Sequence, residues 1–338
     1  MPSTKQNPID KENLRQVIID FPKQFKEGFE LAKNIKVRGD FSSVIVSGMG
    51  GSALPTEVIK LYLDENDSQK KDFNLFANRT YALPKNSGKN CLHIVSSFSG
   101  NTEETLSSLQ EIIKKKLPVI GIAYGGKLIE ICKKNNIPCI ELPFVSQPRY
   151  ATGYFFSTTL KILANARLIK LDEQKIIQEA ENLKKEILKS ESKGKNLAQK
   201  LVGKTPIIYS SDKMRAVAMI WKIKINENAK TPAFYNVYPE LSHNEMVGFT
   251  LPQSKFHILT LMNKSDHPQI QKRMKITTKL YKQKGIDTSL IEIDNSSVFN
   301  SVFQSLILGD WISYYLALAY KQDPTPVRMV EDLKKMLV

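Results

Sequence analysis

The sequence is poor in cysteine, in arginine and in long hydrophobic runs, and each shortage excludes a class of protein. Its 338 residues contain three cysteines with no C-x-x-C spacing, namely Cys91, Cys132 and Cys139. An odd number of cysteines without that spacing argues against a disulfide framework and a zinc site, and it favours a reducing compartment. Residues 1–16 contain no apolar core of signal-peptide length, so we expect a cytoplasmic protein.

Long hydrophobic runs are also missing. The most apolar segment, residues 302–320, is interrupted by Gln304, Ser305, Asp310 and Ser313. A membrane helix needs about 20 apolar residues with few polar breaks. This segment therefore predicts a helix buried inside a domain, and we expect no membrane partner.

Arginine is scarce although the chain is basic. Lys and Arg number 49 against 34 Asp and Glu, a formal net charge of +15, but only 8 of the 49 are arginines. Nucleic-acid binders usually cluster their positive charge and use arginine for phosphate and base contacts. We therefore interpret the charge as a lysine-covered surface and expect no nucleic-acid partner, although a positive field would help to gather an anionic substrate.

The order of short apolar runs indicates an α/β fold. Strands are predicted in the first half at 44–46, 92–95, 118–122 and 138–140, and in the second half at 205–210, 256–261 and 289–293. Each of them except the strand at 138–140 is followed directly by a helical pattern. Strands that alternate with helices are typical of a parallel, doubly wound sheet. The second half repeats the strand–loop–helix plan of the first half without its loop of serine, glycine and threonine, so we expect one anion site per chain.

A charged helical stretch separates the two halves. We predict an N-terminal helical segment at 1–36, a first α/β domain at 37–160, a helical linker at 161–204 and a second α/β domain at 205–338. Gly194 is predicted to break the linker helix, because glycine is unfavourable inside a helix.

The loop after the predicted strand at 92–95 carries hydroxyl groups at Ser97, Ser99 and Thr102. Hydroxyls and backbone N–H groups at a helix start attract an anion, and the helix dipole favours negative charge there. Thr102 alone would also fit an ordinary helix cap. Because no Walker lysine and no G-x-G-x-x-G pattern is present, a phosphorylated small molecule fits this loop better than a nucleotide.

A glycine-rich turn follows the strand at 44–46. Glycines at 48, 50 and 51 would let a ligand approach the backbone, and Ser52 can donate a hydrogen bond at the start of the next helix. Alone this is a common turn, but together with the serine loop it strengthens the prediction of a phosphate site at Gly51, Ser52, Ser97, Ser99 and Thr102.

Motifs along almost the whole chain resemble one known family. GMGGSA at 48–53 and SFSGNTEET at 97–105 are similar to motifs of the sugar isomerase (SIS) fold. Four further motifs resemble those of the bifunctional phosphoglucose/phosphomannose isomerases: QPRYATGY at 147–154, NENAKTPAF at 226–234, PELSHNEMVGF at 239–249 and LGDWISYYLALAYKQDPTPV at 308–327. The resemblance implies two SIS domains, each a parallel sheet flanked by helices in an αβα sandwich.

The resemblance also implies a reaction and the residues that perform it. It implies interconversion of glucose 6-phosphate, and of mannose 6-phosphate, with fructose 6-phosphate through a cis-enediol. Glu227 matches the family's catalytic base, His243 and Lys321 its ring-opening residues, and Arg149 the group that stabilises the enediolate. In relatives the histidine reaches the substrate from the neighbouring subunit, which implies a homodimer. Two positions depart from the usual family pattern, Phe98 in place of tyrosine and Tyr150 in place of a small residue.

Three other histidines have ordinary structural interpretations. His93 and His257 are predicted to pack inside sheets, and His267 to lie near a helix start. Because no His, Asp and Glu cluster has metal-ligand spacing, we expect a reaction without metal or cofactor. The alternatives are a non-catalytic sugar-phosphate-binding regulator on the same fold and an aminosugar-phosphate isomerase.

Overall fold

A computed structural model describes residues 6–66 and 72–337. The chain divides into two compact units, each described below by itself. The first unit is Asp20–Glu181, and the second unit contains the described residues before Asp20 and after Glu181. The division falls inside the segment 161–204 that we predicted as a linker.

The described residues form nine strands and twelve α-helices. The strands are β1 (Ser43–Gly48), β2 (Asn74–Asn78), β3 (Cys91–Ser96), β4 (Val119–Ala123), β5 (Cys139–Glu141), β6 (Thr205–Ser211), β7 (Phe234–Tyr238), β8 (Phe256–Asn263) and β9 (Asp287–Ile293). The helices are α1 (Leu14–Asp20), α2 (Lys23–Ala32), α3 (Gly50–Asp64), α4 (Glu103–Lys114), α5 (Gly126–Lys134), α6 (Thr152–Asn165), α7 (Glu173–Leu201), α8 (Arg215–Ala229), α9 (Glu245–Gly248), α10 (Pro268–Gln283), α11 (Val298–Ala319) and α12 (Arg328–Met336).

Both units contain a parallel sheet, and the four strands of the second sheet follow the order of the first four strands of the first sheet. In the first unit the order is β2-β1-β3-β4-β5, and in the second it is β7-β6-β8-β9. Every pair in both sheets is parallel. The central strands β1, β3, β6 and β8 are almost entirely buried, as expected for a sheet covered by helices on both faces. The predicted α/β class with parallel sheets is confirmed, and so is the repeated plan of the two halves.

The predicted helix break at Gly194 is wrong. Gly194 lies inside α7, which runs through 29 residues from Glu173 to Leu201. A Cβ atom at this position would stand 2.3 Å from Cβ of Trp311 on α11. Gly194 is therefore a packing residue, because only a residue without a side chain lets α7 approach the tryptophan this closely.

The most apolar segment forms α11, as predicted. By length and composition this helix could cross a membrane, but 78% of its most apolar window is buried inside the protein. It packs against α8 in the second unit, where Trp311 and Phe303 are fully buried. Its hydrophobicity is therefore explained by its place in the core of that unit.

Candidate active site

The predicted site residues fall into two groups. Arg149 and the five predicted phosphate ligands belong to the first unit, whereas Glu227, His243 and Lys321 belong to the second unit. Each group has its own local geometry, which the backbone and the neighbouring side chains determine.

In the first unit, the serine loop lies at the carboxyl end of β3 and leads into α4. The hydroxyls of Ser97 and Thr102 are 2.8 Å apart and hydrogen-bonded to each other. Gly100 has a φ of +67°, and a Cβ atom there would come within 1.7 Å of the carbonyl oxygen of Gly125. The loop therefore requires glycine at this position in order to fold back and bring the two hydroxyls together.

The start of α4 is open to a ligand. Thr102 precedes the first helical residue, Glu103, and its side chain makes no capping hydrogen bond. As at any helix start, the N–H groups of the first turn have no acceptor within the helix. Ser99 is exposed, and its Oγ accepts a hydrogen bond of 3.3 Å from the backbone N–H of Asn101. Hydroxyls and helix N–H groups together suit the oxygens of a phosphate group.

The glycine turn lies at the carboxyl end of the adjacent strand, β1. Oγ of Ser52 accepts a hydrogen bond of 2.9 Å from the N–H of Phe98, and Oγ of Ser96 donates to the carbonyl oxygen of Ser52 at 3.0 Å. These two bonds fix the turn to the serine loop. Ligands of open α/β sheets bind beside neighbouring strand ends of this kind, where the strand order reverses.

Arg149 is buried in the first unit, with only 2% of its surface exposed. It lies in a 3₁₀ turn, Pro148–Tyr150, and its guanidinium donates a hydrogen bond of 3.2 Å to Oε1 of Gln147. The guanidinium also lies over the ring of Tyr150, 5.4 Å from the ring centre. Tyr150, which departs from the family pattern, therefore makes a cation–π contact that stabilises the position of the guanidinium.

Phe98, the second position that departs from the family pattern, packs against an aromatic neighbour. Its ring stacks on that of Tyr124, with centres 5.4 Å apart and planes 14° apart. The N–H of Tyr124 donates to the carbonyl oxygen of Phe98 at 2.8 Å. Phe98 thus joins the serine loop to the end of β4, a packing role that requires no hydroxyl.

In the second unit, Glu227 is half-buried in the last turn of α8. It lines a cleft of about 570 Å³ together with Lys230, Gln322, Asp323 and the start of α12. Among the described residues that line this cleft, Glu227 is the only member of the predicted catalytic set. A carboxylate in a partly enclosed cleft can accept a proton from a bound substrate.

Lys321 lies two residues after the end of α11 and is exposed, with a left-handed φ of +54°. The N–H of the next residue, Gln322, bonds to the carbonyl oxygen of Ala317 at 2.9 Å, which turns the chain back at the helix end. Lys230 then joins this turn to α8, because its Nζ donates to the carbonyl oxygens of Asp323 at 2.7 Å and of Asn228 at 3.1 Å. Lys230 is not among the predicted site residues, although it lies within the motif NENAK at 226–230.

His243 and Glu227 lie at opposite ends of the strands of the same sheet. His243 follows the carboxyl end of β7. The helix α8 begins at the carboxyl end of β6 and runs back, so that Glu227, in its last turn, lies at the amino ends of the strands. His243 is exposed, and its segment is fixed by Glu245, which accepts hydrogen bonds from the hydroxyl of Tyr209 at 2.5 Å and from the amide of Asn236. Burial and this carboxylate raise the pKa of Tyr209 well above its usual range.

The remaining histidines lie where the sequence predicted. His93 and His257 are buried inside the two sheets, and burial lowers the pKa of each to about 4. His267 caps α10, its Nδ1 accepting from the N–H of Gln269 at 3.2 Å. Within residues 6–66 and 72–337, no three His, Cys, Asp or Glu side chains converge in a way that could hold a metal ion.

Comparison with known proteins identifies the fold of this chain. The C-terminal domain of glucosamine-fructose-6-phosphate aminotransferase from Francisella tularensis superposes with a TM-score of 0.71 at 13% identity, over 94% of this chain and 99% of that chain. At that identity the match shows the fold alone. The family profile described as "Bacterial phospho-glucose isomerase C-terminal SIS domain" matches residues 190–337.

Sequence relatives identify the family. The bifunctional phosphoglucose/phosphomannose isomerase of Caldicellulosiruptor bescii is 36% identical over 95% of this chain and 97% of its own length. That of Aquifex aeolicus is 31% identical over 96% and 98%. A relative with another name, D-glucosamine-6-phosphate 4-epimerase of Sulfolobus acidocaldarius, is 32% identical over 66% and 70%. With near-complete coverage at more than 30% identity, this chain belongs to the family of bifunctional phosphoglucose/phosphomannose isomerases.

Proposed function

We propose that this protein interconverts glucose 6-phosphate and mannose 6-phosphate with fructose 6-phosphate. The observation that supports the proposal is that Glu227, which the family resemblance assigns as the base, lines a cleft, in a chain whose other unit has a loop of paired hydroxyls at Ser97 and Thr102. A regulator without catalytic activity would need the loop but not the carboxylate.

The phosphate group is held in the first unit in this proposal. The hydroxyls of Ser97, Ser99 and Thr102 and the first N–H groups of α4 donate to the phosphate oxygens, with Gly51 and Ser52 beside them. Neutral donors and a helix dipole give this site its affinity, so that the lysine-rich surface serves only to gather the anion.

His243 and Lys321 open the sugar ring by moving a proton to and from the ring oxygen and the anomeric hydroxyl. Glu227 then takes the proton from C2 of the open-chain aldose, and the electrons of the C–H bond form the C1–C2 double bond while the π pair of the C1 carbonyl moves to O1, which takes up a proton to give a cis-enediol. Return of the proton to C1 from Glu227, with loss of the O2 proton and formation of the C2 carbonyl, gives the ketose. Arg149 stabilises the negative charge on the enediolate oxygens. Protonation of C2 from either face, after rotation about the C2–C3 bond, gives glucose or mannose 6-phosphate, and the reaction needs no metal or cofactor.

A homodimer belongs to the proposal. Glu227 and His243 lie at opposite ends of the strands in the second unit, so that the histidine of one subunit is poorly placed to act on a substrate bound at Glu227 of the same subunit. In a two-fold dimer the same surface of each subunit contacts the other, and His243 of one subunit can then complete the site of its partner. The three cysteines are free thiols, which is compatible with a cytoplasmic enzyme.

The epimerase relative makes an amino-sugar phosphate the second candidate substrate. The deciding assay gives purified protein fructose 6-phosphate or glucosamine 6-phosphate, in separate reactions with and without EDTA, and resolves the products by chromatography. The proposal predicts glucose and mannose 6-phosphate from the first substrate and equal rates with the chelator. Conversion of glucosamine 6-phosphate alone would refute the proposal in favour of the relative's activity, and loss of activity with EDTA would refute the metal-free reaction.

A further inference from the structure

The helix that carries Glu227, α8, lies beside α11, the helix that leads to Lys321, in the second unit. Both α8 and α11 begin after the carboxyl ends of parallel strands of one sheet. They therefore run in the same direction, and both end near the amino ends of the strands. Their relative register determines how far the Glu227 carboxylate stands from the turn that begins at Lys321. A shift of α8 by one residue would move Glu227 by about 1.5 Å along the axis and about 100° around it.

Directional contacts, rather than apolar packing alone, join these helices. The indole N–H of Trp221 donates to the carbonyl oxygen of Ser305 at 2.9 Å, and the amide of Asn228 donates to Oγ of Ser313 at 2.8 Å. Between these two contacts, Nζ of Lys224 forms an ion pair with Asp310. The three residues of α8 are spaced three and four positions apart, so they form one stripe facing α11.

The ion pair is deeply buried. The side chains of Lys224 and Asp310 are only 4% and 5% exposed. Replacement of a buried ion pair by apolar residues of similar volume is often neutral or stabilising, because removing two charges from water costs about as much as their attraction returns. Stability alone therefore does not explain a charged pair at this place, whereas a requirement for one defined register does.

We propose that Lys224 and Asp310 are positioning residues that fix the register of α8 against α11 and thereby place Glu227 for proton transfer. This inference rests on the proposed function of Glu227. Apolar side chains at these two positions would leave only the contacts of Trp221 and Asn228 to define the register, because a leucine or methionine contact has no preferred direction. A displacement of about 1 Å at a reacting group can lower a rate by about a hundredfold.

The test compares the double variant Lys224→Met/Asp310→Leu with the wild-type protein. We expect an unchanged or higher melting temperature, a fall in kcat of about tenfold or more, and a KM for fructose 6-phosphate within about twofold, because the phosphate loop is untouched. Arg215→Met is the matched control, since it removes an exposed ion pair with Asp212 at the other end of α8. A kcat within about twofold of wild type in a folded double variant would overturn the proposal.

A misfolded double variant and an inactive wild-type protein each call for a different measurement. If the double variant does not fold, the alternative apolar pair Lys224→Leu/Asp310→Met removes the same ion pair with the side-chain volumes exchanged, and the same criteria on kcat, KM and melting temperature decide. If the wild-type protein itself does not isomerise fructose 6-phosphate, the proposed function fails, and crystal structures of wild type and variant then test the register alone. In the variant we expect Glu227 to be displaced by about 1 Å or more relative to Asp323, and an unmoved Glu227 would overturn the proposal that the ion pair fixes the register.

Discussion

Gly51 lies directly against the backbone of Arg149. A Cβ atom on Gly51 would stand 2.6 Å from the backbone nitrogen of Arg149 and 2.9 Å from its Cα. The glycine turn after β1 and the 3₁₀ turn of Arg149 are far apart in sequence, and this contact joins them. The glycine is therefore needed for the position of the arginine as well as for ligand approach.

Gly51→Ala is expected to displace Arg149 and to lower kcat for fructose 6-phosphate by about tenfold or more, because the backbone atoms in the way cannot rotate aside. Steady-state kinetics and circular dichroism check the rate and the fold together. Gly285→Ala is the control, since the space around Gly285 is open and this glycine lies just after the end of α10, in the other unit from Arg149. An active Gly51→Ala enzyme, with kcat within about twofold of wild type, would show that the close approach does not position Arg149.

The hydroxyl pair of the serine loop is expected to contribute to phosphate affinity. Ser97→Ala and Thr102→Val each remove a donor to a charged group, which is worth about 1.5–3 kcal/mol, so KM should rise by about ten- to a hundredfold with a smaller change in kcat. Inorganic phosphate should inhibit both variants more weakly. Ser107→Ala on the same helix α4 is the control. Unchanged KM values in the two loop variants would mean that the phosphate binds elsewhere.

The stability of the protein is expected to fall in mild acid because of its buried histidines. The pKa of His93 is lowered to about 4, mainly by burial, with Glu111 raising it and Lys115 lowering it further. The unfolded chain, with a pKa of about 6.5, therefore binds more protons between pH 6.5 and 4, and stability is complete above pH 6.5 and is lost as the pH falls towards 4. His257 contributes in the same direction.

Urea unfolding at pH 7.5 and pH 5 measures this effect. In His93→Leu, the loss of unfolding free energy between the two pH values should be smaller than in the wild type by about 1–2 kcal/mol, because one buried neutral histidine is gone. His267→Gln is the control, since His267 lies at an exposed helix start. An equal pH dependence in His93→Leu and wild type would contradict the assignment.

Hybrid dimers test whether His243 acts across the interface. If it does, a hybrid of one Glu227→Gln chain and one His243→Asn chain contains one site with both changes and one site with neither. Equimolar mixing and subunit exchange should then restore about a quarter of wild-type activity, because half of the dimers are hybrids and half of their sites are intact. Hybrids no more active than the two parents would mean that the histidine serves its own chain.

The sequence predicted the sheets well where hydrophobic runs are long. The central strands were predicted to within a few residues because they are buried on both faces and read as continuous apolar runs. The edge strands β2 and β7 were missed, since NLFAN and FYNVY are short, partly exposed and contain asparagine. A strand of that composition is stabilised by pairing with its neighbour, which no local pattern reports.

The site was predictable in its motifs but not in its supports. Gly51 was predicted from the glycine turn, yet its contact with Arg149 joins segments about a hundred residues apart. Lys230 was missed because one lysine among 41 carries no distinguishing signal before its contact with the carbonyl of Asp323 is known. Gly194 was misread as a break because helix propensity is a weak prior and the packing of Trp311 overrides it.

The most direct measurement of the central claim is the turnover of Glu227→Gln with fructose 6-phosphate. We predict that kcat for formation of glucose and mannose 6-phosphate falls by about 10²–10⁴, because an amide cannot accept the proton, while the affinity for inorganic phosphate stays unchanged. Glu331→Gln, an exposed carboxylate on α12, should behave as wild type. A Glu227→Gln enzyme that turns over fructose 6-phosphate at close to the wild-type rate would contradict the account.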